Sequence, residues 1–143
     1  MSVPLAVSEI ADADVPAVIA LWERAGLTRP WNDPARDIAF ARASPVAAVL
    51  VGRERASGPV VAACMVGHDG HRGAVYYVAV APDRRSAGFG RAIMAAAEDW
   101  LTARGVWKLN LMVRPDNSAV VGFYEALGYA AEERRVLAKW LAP

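Results

Sequence analysis

The chain lacks most of what would tie it to a membrane, a metal or a nucleic acid. No apolar run reaches the ~18 to 20 residues needed to cross a bilayer. The N-terminus has no basic flank followed by a continuous apolar core, so no signal peptide is expected. The single cysteine, Cys64, excludes an internal disulfide and a cysteine-based zinc site, and it suggests a reducing, cytoplasmic setting. His68 and His71 have only Asp69 as a nearby third ligand, too poor a set for a metal, and none is expected. The formal net charge is +1 and the 16 basic residues are scattered, which disfavours nucleic acid as the main partner. A Walker-type phosphate loop is excluded because Gly-Lys-Ser/Thr is absent. Gly88-x-Gly90 falls short of a dinucleotide fingerprint because Ile93 stands where the third glycine belongs.

What is present reads as one globular domain over residues 1–143, with 55% hydrophobic and 22% charged residues and no internal repeat or low-complexity linker. Val3 to Ser8 reads as a first strand, an edge at best because of Pro4. Asp12 or Asp14 offers an N-cap to a helix with Val15, Val18, Ile19 and Trp22 at helical spacing, stopped near Gly26. Asp33-Pro34 pairs an N-cap with proline at the first helical position, so a second short helix should run to about Ala43, closed by Pro45. Trp31, in the loop before it, serves either as a lid over a pocket or as a plug into the core. Residues 46–81 read as a three-stranded antiparallel meander with turns at Arg53–Pro59 and His68–Gly73. A helix from about Gly88 to Arg104 presents Ile93, Ala97, Trp100 and Leu101 on one face. Val106 to Val113 alternates cleanly and should lie parallel to the strand at 74–80, since a crossover helix joins them. A helix from Ser118 to Leu127 stops at Gly128, and 129–133 with 136–141 suggests a closing antiparallel pair.

The most informative stretch is Val78 to Arg91. The strand ends at Pro82, which cannot donate to a ladder, and two arginines and two glycines then open the next helix. A Gly-rich turn feeding a helix N-terminus leaves backbone N–H groups unpaired with the positive end of the helix dipole behind them, a ready anion site.

Val78-Ala-Val-x-Pro followed by Arg85-x-x-Gly88-x-Gly90 resembles the acetyl-coenzyme A site of the GNAT superfamily of N-acetyltransferases. Asn117, seven residues before Tyr124-Glu-Ala-Leu-Gly-Tyr129, is similar to a second motif of that family, in the same order and at the same spacing. Leu21–Arg24, Arg29–Pro34 and Gly67–Gly73 further resemble the small bacterial GNAT acetyltransferases called YpeA. The resemblance implies an α/β fold with a mixed, mostly antiparallel sheet of about six to seven strands and about four helices. It implies a stand-alone bacterial enzyme using acetyl-coenzyme A, and it is compatible with a homodimer.

The roles it implies are as follows. A backbone N–H within Val78, Ala79 and Val80 holds the thioester carbonyl. The amides of Ser86, Ala87, Gly88, Phe89, Gly90 and Arg91 hold the pyrophosphate, with Arg84, Arg85 or Arg91 adding positive charge. Asn117 bonds the pantetheine arm or its neighbourhood, and Tyr124 gives its phenol proton to the departing thiolate. Many family members place a glutamate on the strand before the phosphate turn, but Ala74-Val-Tyr-Tyr-Val-Ala-Val80 carries no carboxylate. The base is then water or one of Glu23, Asp33, Asp69, His68 and His71, the last titrating in the right range. Trp31, Asn32 and Asp33 are expected to shape the acceptor pocket, and Tyr76 and Tyr77, projecting to opposite faces of one strand, divide between core and acceptor channel. Cys64, mid-strand in an apolar run, reads as packing and not as an acyl carrier. The expected reaction is direct attack by a primary amine of a small molecule or peptide on acetyl-coenzyme A. The alternative is an acyl-coenzyme A binding or sensing module without catalysis.

Overall fold

The computed structural model describes residues 4–142. The chain divides into two compact units, one ending at Leu111 and the other beginning at Met112.

The first unit is built on one mixed sheet, β1 (Ala6–Glu9), β2 (Ala47–Arg53), β3 (Val60–His68), β4 (Gly73–Val80) and β5 (Leu109–Asn110), in the order β1-β2-β3-β4-β5. The first four strands pair antiparallel and β4 pairs β5 in parallel. β1 is an edge strand, as expected, but it starts at Ala6, so Pro4 lies outside it; Val3, expected to begin it, lies outside the described residues. The expected meander is the centre of the sheet. Val49, Leu50 and Val51 of β2, and Val61 to Cys64 of β3, are buried at consecutive positions. Both faces of these strands are therefore covered, which explains why their sequence reads as a continuous apolar run and does not alternate.

Helix α1 (Val15–Arg24) buries Val18, Leu21 and Trp22 and packs on β3 and β4. A single 3₁₀ turn, Asp12–Asp14, precedes it. The Asp14 carboxylate accepts from the Ala11 amide (2.9 Å) and pairs with Arg53, tying the helix start to β2. These bonds, the amide first, hold the Asp14 carboxyl below its ordinary range despite its desolvation. Helix α2 (Pro34–Ala43) has the expected limits: the Asp33 carboxylate caps it by accepting from the Arg36 amide at 3.2 Å. Helix α3 (Phe89–Thr102) lays Phe89, Ile93, Met94, Ala97 and Leu101 against β2, β3 and β4.

The second unit contains α4 (Ser118–Ala126), ended by Gly128 at φ +97°. The Gly128 amide donates to the Glu125 carbonyl and the Tyr129 amide to the Tyr124 carbonyl, both at 3.0 Å, so the left-handed glycine satisfies the last turn.

Two expectations are corrected. The sheet has five strands among the described residues, because 129–141 forms no strand. Within 136–141 the large apolar residues are Val136, Leu137, Trp140 and Leu141, not at alternate positions, and all four are exposed. Glu132 to Arg135 separates them from α4, and a two-stranded hairpin without an apolar face is marginal on its own. β5 is also shorter than the alternation over Val106–Val113 suggests. Leu109, Leu111 and Val113 are half-buried as expected, but Trp107 is 92% exposed.

Candidate active site

The two edges of β4 end at different places. On the β3 side pairing runs from Gly73 to Val80, whereas on the β5 side it covers Gly73 and Ala74 alone. Beyond Ala74, β4 has an open edge among the described residues. Its register with β3 also slips: Tyr76 faces Met65 and Ala79 faces Ala63, so Tyr77 and Val78 together oppose Cys64. This is a β-bulge, and its first residue, Tyr77, sits at φ +57°. Neighbouring N–H groups along a strand point to opposite edges, so the extra residue decides which of Val78, Ala79 and Val80 faces β3 and which faces the open edge.

A left-handed aromatic residue costs about 1–3 kcal/mol of backbone strain. Two contacts offset it. The Tyr77 ring stacks on Trp22 with centroids 4.1 Å apart and an interplanar angle of 13°, worth about 0.5–1.5 kcal/mol. Its hydroxyl donates to Asp37 Oδ2 at 2.8 Å, and a bond to a charged group contributes about 1.5–3 kcal/mol. Asp37 lies in the first turn of α2, one turn after the cap, its amide donating to the Asp33 carbonyl at 2.9 Å. Desolvation first, and then the bond to Asp37 and the charges of Asp37 and Asp33, push the Tyr77 phenol above its ordinary range. It stays protonated and donating. Trp22 is fully buried, and its Nε1 has no hydrogen-bond partner among the described residues.

After β4 the Ala81 amide donates to the Val61 carbonyl (2.8 Å), and a 3₁₀ turn over Pro82–Arg84 leads to Arg85. Ser86 at φ +75° and Gly88 at φ +86° then wind the backbone into the start of α3, where Phe89 is anchored in the core. Gly88 is the N-cap, and the Ala92 amide donates to its carbonyl at 3.1 Å. The amides of Phe89, Gly90 and Arg91 precede that bond and have no intrahelical acceptor. With the positive end of the helix dipole behind them, these amides form an anion-binding site. Arg84 is committed to Glu54 (2.7 Å), and Asp83 lies 3.6 Å from Arg24. Arg85 and Arg91 are exposed as well. These residues fit a pyrophosphate: an amide cradle at a helix N-terminus, with the exposed Arg85 and Arg91 beside it.

The other candidates spread over the fold. Asn32 and Asp33 lie in the loop before α2, with the Asn32 amide bonded to the Arg29 carbonyl. Trp31 is 55% exposed and so is not a core plug. Tyr76 is half exposed, while Tyr77 turns onto Trp22. Glu23 is exposed on α1. His68, Asp69 and His71 occupy the β3–β4 turn, about 17 Å along β4 from Val78 at ~3.3 Å per residue. There Asp69 Oδ1 accepts from the Arg72 and His71 amides (2.8 and 2.9 Å), which hold its carboxyl below the ordinary range, and His68 Nδ1 accepts from the Gly70 amide. These groups build the turn and are not brought to the open end of β4. Among the described residues no three His, Cys, Asp or Glu side chains form a metal-sized group. Cys64 is fully buried, and burial pushes its thiol up to about 12.

In the second unit Asn117 caps α4 without a side-chain capping bond, and its exposed side chain is left for other partners. Tyr124 is half-buried and meets Phe123 and Tyr129 edge-on, at 5.0 and 5.8 Å between centroids. Asp37 was not among the residues singled out from sequence; an aspartate in the first turn of a helix reads as an ordinary complement to the helix dipole.

The family model for acetyltransferases of the GNAT type matches residues 12–129, a span that runs through both units. The chain belongs to this family. It is 46% identical over 129 residues to an acetyltransferase of Yersinia enterocolitica, covering 90% of each chain. An acetyltransferase of Pectobacterium atrosepticum is 45% identical over 128 residues, covering 90% of this chain and 89% of the relative. Among solved structures, the ribosomal-protein-S18-alanine N-acetyltransferase of Escherichia coli superposes with a TM-score of 0.72 at 27% identity, over 87% of this chain and 76% of that one. The aminoglycoside acetyltransferase AAC(6')-Iy, bound to a coenzyme A bisubstrate analogue, has the same fold, with a TM-score of 0.79 at 16% identity, over 96% and 99% of the two chains. No helix among the described residues is long and apolar enough to cross a membrane.

Proposed function

We propose that this acetyltransferase moves an acetyl group from acetyl-coenzyme A to a primary amine by direct attack, in a cytoplasmic setting, with the two units serving as one catalytic domain. The observation that carries the proposal is the end of β4: an open, bulged strand edge followed at once by an amide cradle on a helix N-terminus. When bound, acetyl-coenzyme A supplies an activated thioester, and the residues of the chain do the rest. The amides from Ser86 to Arg91, with Arg85 and Arg91, hold the pyrophosphate. An N–H of Val78, Ala79 or Val80 on the open edge holds the thioester carbonyl and stabilises negative charge as it develops there. Asn117 steadies the pantetheine arm. Tyr124 donates its phenol hydrogen to the departing thiolate and so stabilises the sulfur as the C–S bond breaks. β4 carries no carboxylate, so the amine loses its proton to water or to an acidic side chain from the loop before α2, where Asp33 stands beside Trp31 and Asn32.

The acceptor is a small-molecule or peptide amine; the E. coli neighbour is named for a protein alanine and AAC(6')-Iy for an aminoglycoside. A panel of primary amines, screened for free thiol released from acetyl-coenzyme A, tests the reading. Amine-dependent thiol release is expected. Tight acetyl-coenzyme A binding with no release across the panel would instead favour an acyl-coenzyme A sensing module, the reading that a carboxylate-free β4 supports.

A further inference from the structure

We propose that Asp37 and Trp22 are positioning residues that act through Tyr77: together they lock the β4 bulge in its left-handed form and so fix which amide faces the thioester. The inference rests on the acetyltransferase reading, because it concerns where that reading places the acyl group.

Three observations converge on one side chain. Tyr77 occupies a backbone conformation that a regular strand would not impose and that glycine would adopt at no steric cost. Its ring lies flat on Trp22 and its hydroxyl is fixed on Asp37, so α1 and α2 both grip the residue that starts the bulge. Trp22 strands a buried indole N–H among the described residues, a cost that an aliphatic side chain would avoid. The indole is explained by its ring face, the platform under Tyr77. Release of the grip lets β4 relax toward unbulged pairing with β3. The alternation downstream then inverts, and the amide at the open edge between Val78 and Val80 is withdrawn. No bond is made or broken by the clamp; its effect is on the orientation of a donor.

The test compares Tyr77→Phe, Asp37→Leu, Asp37→Asn and the double variant Tyr77→Phe/Asp37→Leu with the unmodified full chain. Expected for Tyr77→Phe and Asp37→Leu is a fall in kcat of about tenfold or more with acetyl-coenzyme A affinity within about threefold, since the pyrophosphate cradle is untouched. The double variant should be no worse than either single, because both cut the same bond. Asp37→Asn should recover most of the turnover, as its amide oxygen still accepts from the phenol. Amide hydrogen exchange at residues 77–80 in the ligand-free protein reads the bulge without any turnover, and it should speed up about tenfold in Tyr77→Phe, Asp37→Leu and their double variant but not in Asp37→Asn. Exchange unchanged in both variants overturns the clamp, as does Asp37→Asn losing as much kcat as Asp37→Leu while Tyr77→Phe is silent. The latter pattern would mean that the Asp37 charge acts on the acceptor itself. An unmodified protein that releases no thiol with any amine sinks the acetyltransferase reading, whereas an active protein with four silent variants sinks the clamp alone.

Discussion

The two ends of β4 are made of similar residues and behave as different materials. At Gly73 and Ala74 the strand is paired on both sides and regular, and the turn before it is held by an Asp69 carboxylate accepting two amides. A Cβ at Gly73 would come within 2.6 Å of the Leu101 side chain, so helix and strand are packed there as closely as glycine allows. From Tyr77 to Val80 the strand is paired on one side, carries an extra residue and is strained. One end spends its hydrogen bonds on the fold; the other keeps some uncommitted. A site for a ligand's backbone-facing atoms needs the second arrangement, and the first holds it still.

The sharpest break of this contrast comes just past the open end. Gly88→Val places a branched side chain at φ +86° in the amide cradle, and acetyl-coenzyme A affinity should fall by about 100-fold or more, ~3 kcal/mol. Calorimetric titration checks it, and wild-type affinity in the folded variant would remove the turn from the site. Next in size, Tyr124→Phe asks whether the acid belongs to the second unit and to neither end of β4. Its kcat should drop about 100-fold with acetyl-coenzyme A affinity nearly unchanged. The paired end should answer in the opposite currency: Gly73→Val should lower stability by about 1–3 kcal/mol in urea denaturation while leaving acetyl-coenzyme A affinity within about twofold. The smallest effect is a pH dependence. The folded Tyr77 phenol titrates above its unfolded value near ~10, so its contribution to stability is full below that pH and is lost as pH rises through the folded value. Urea midpoints at neutral and strongly alkaline pH should therefore diverge, and Asp37→Asn, which removes the charge facing the phenol, should narrow the gap.

Much of the frame was legible because the residues that bound its elements are chemically blunt. Asp33-Pro34 and Pro45 delimit α2, Gly105 and Gly128 at positive φ follow α3 and α4, and the all-apolar β2 and β3 announce a doubly covered sheet. The cradle at Ser86 to Arg91 was legible for the same reason, since glycine marks the unusual backbone. The bulge was not. Its left-handed residue is a tyrosine, which carries no turn signal, and period-two alternation sends Tyr76 and Tyr77 to opposite faces without an extra residue between the strands. Asp37 was hidden because its partner lies 40 residues away on β4. The closing strands were over-read: Val136, Leu137, Trp140 and Leu141 are apolar enough for a strand but spaced wrongly for one.

Cys64 sits on β3 directly opposite the bulge, with its thiol raised to about 12. Its thiol therefore stays protonated at neutral pH, and the thiol form is a poor nucleophile. The proposed reaction would bring an activated thioester to a protein that could acylate its own sulfur, and this chain keeps its single sulfhydryl fully buried. The folded protein should therefore resist maleimides and aromatic disulfides, and in the proposed reaction the thiol that such reagents find should come from coenzyme A.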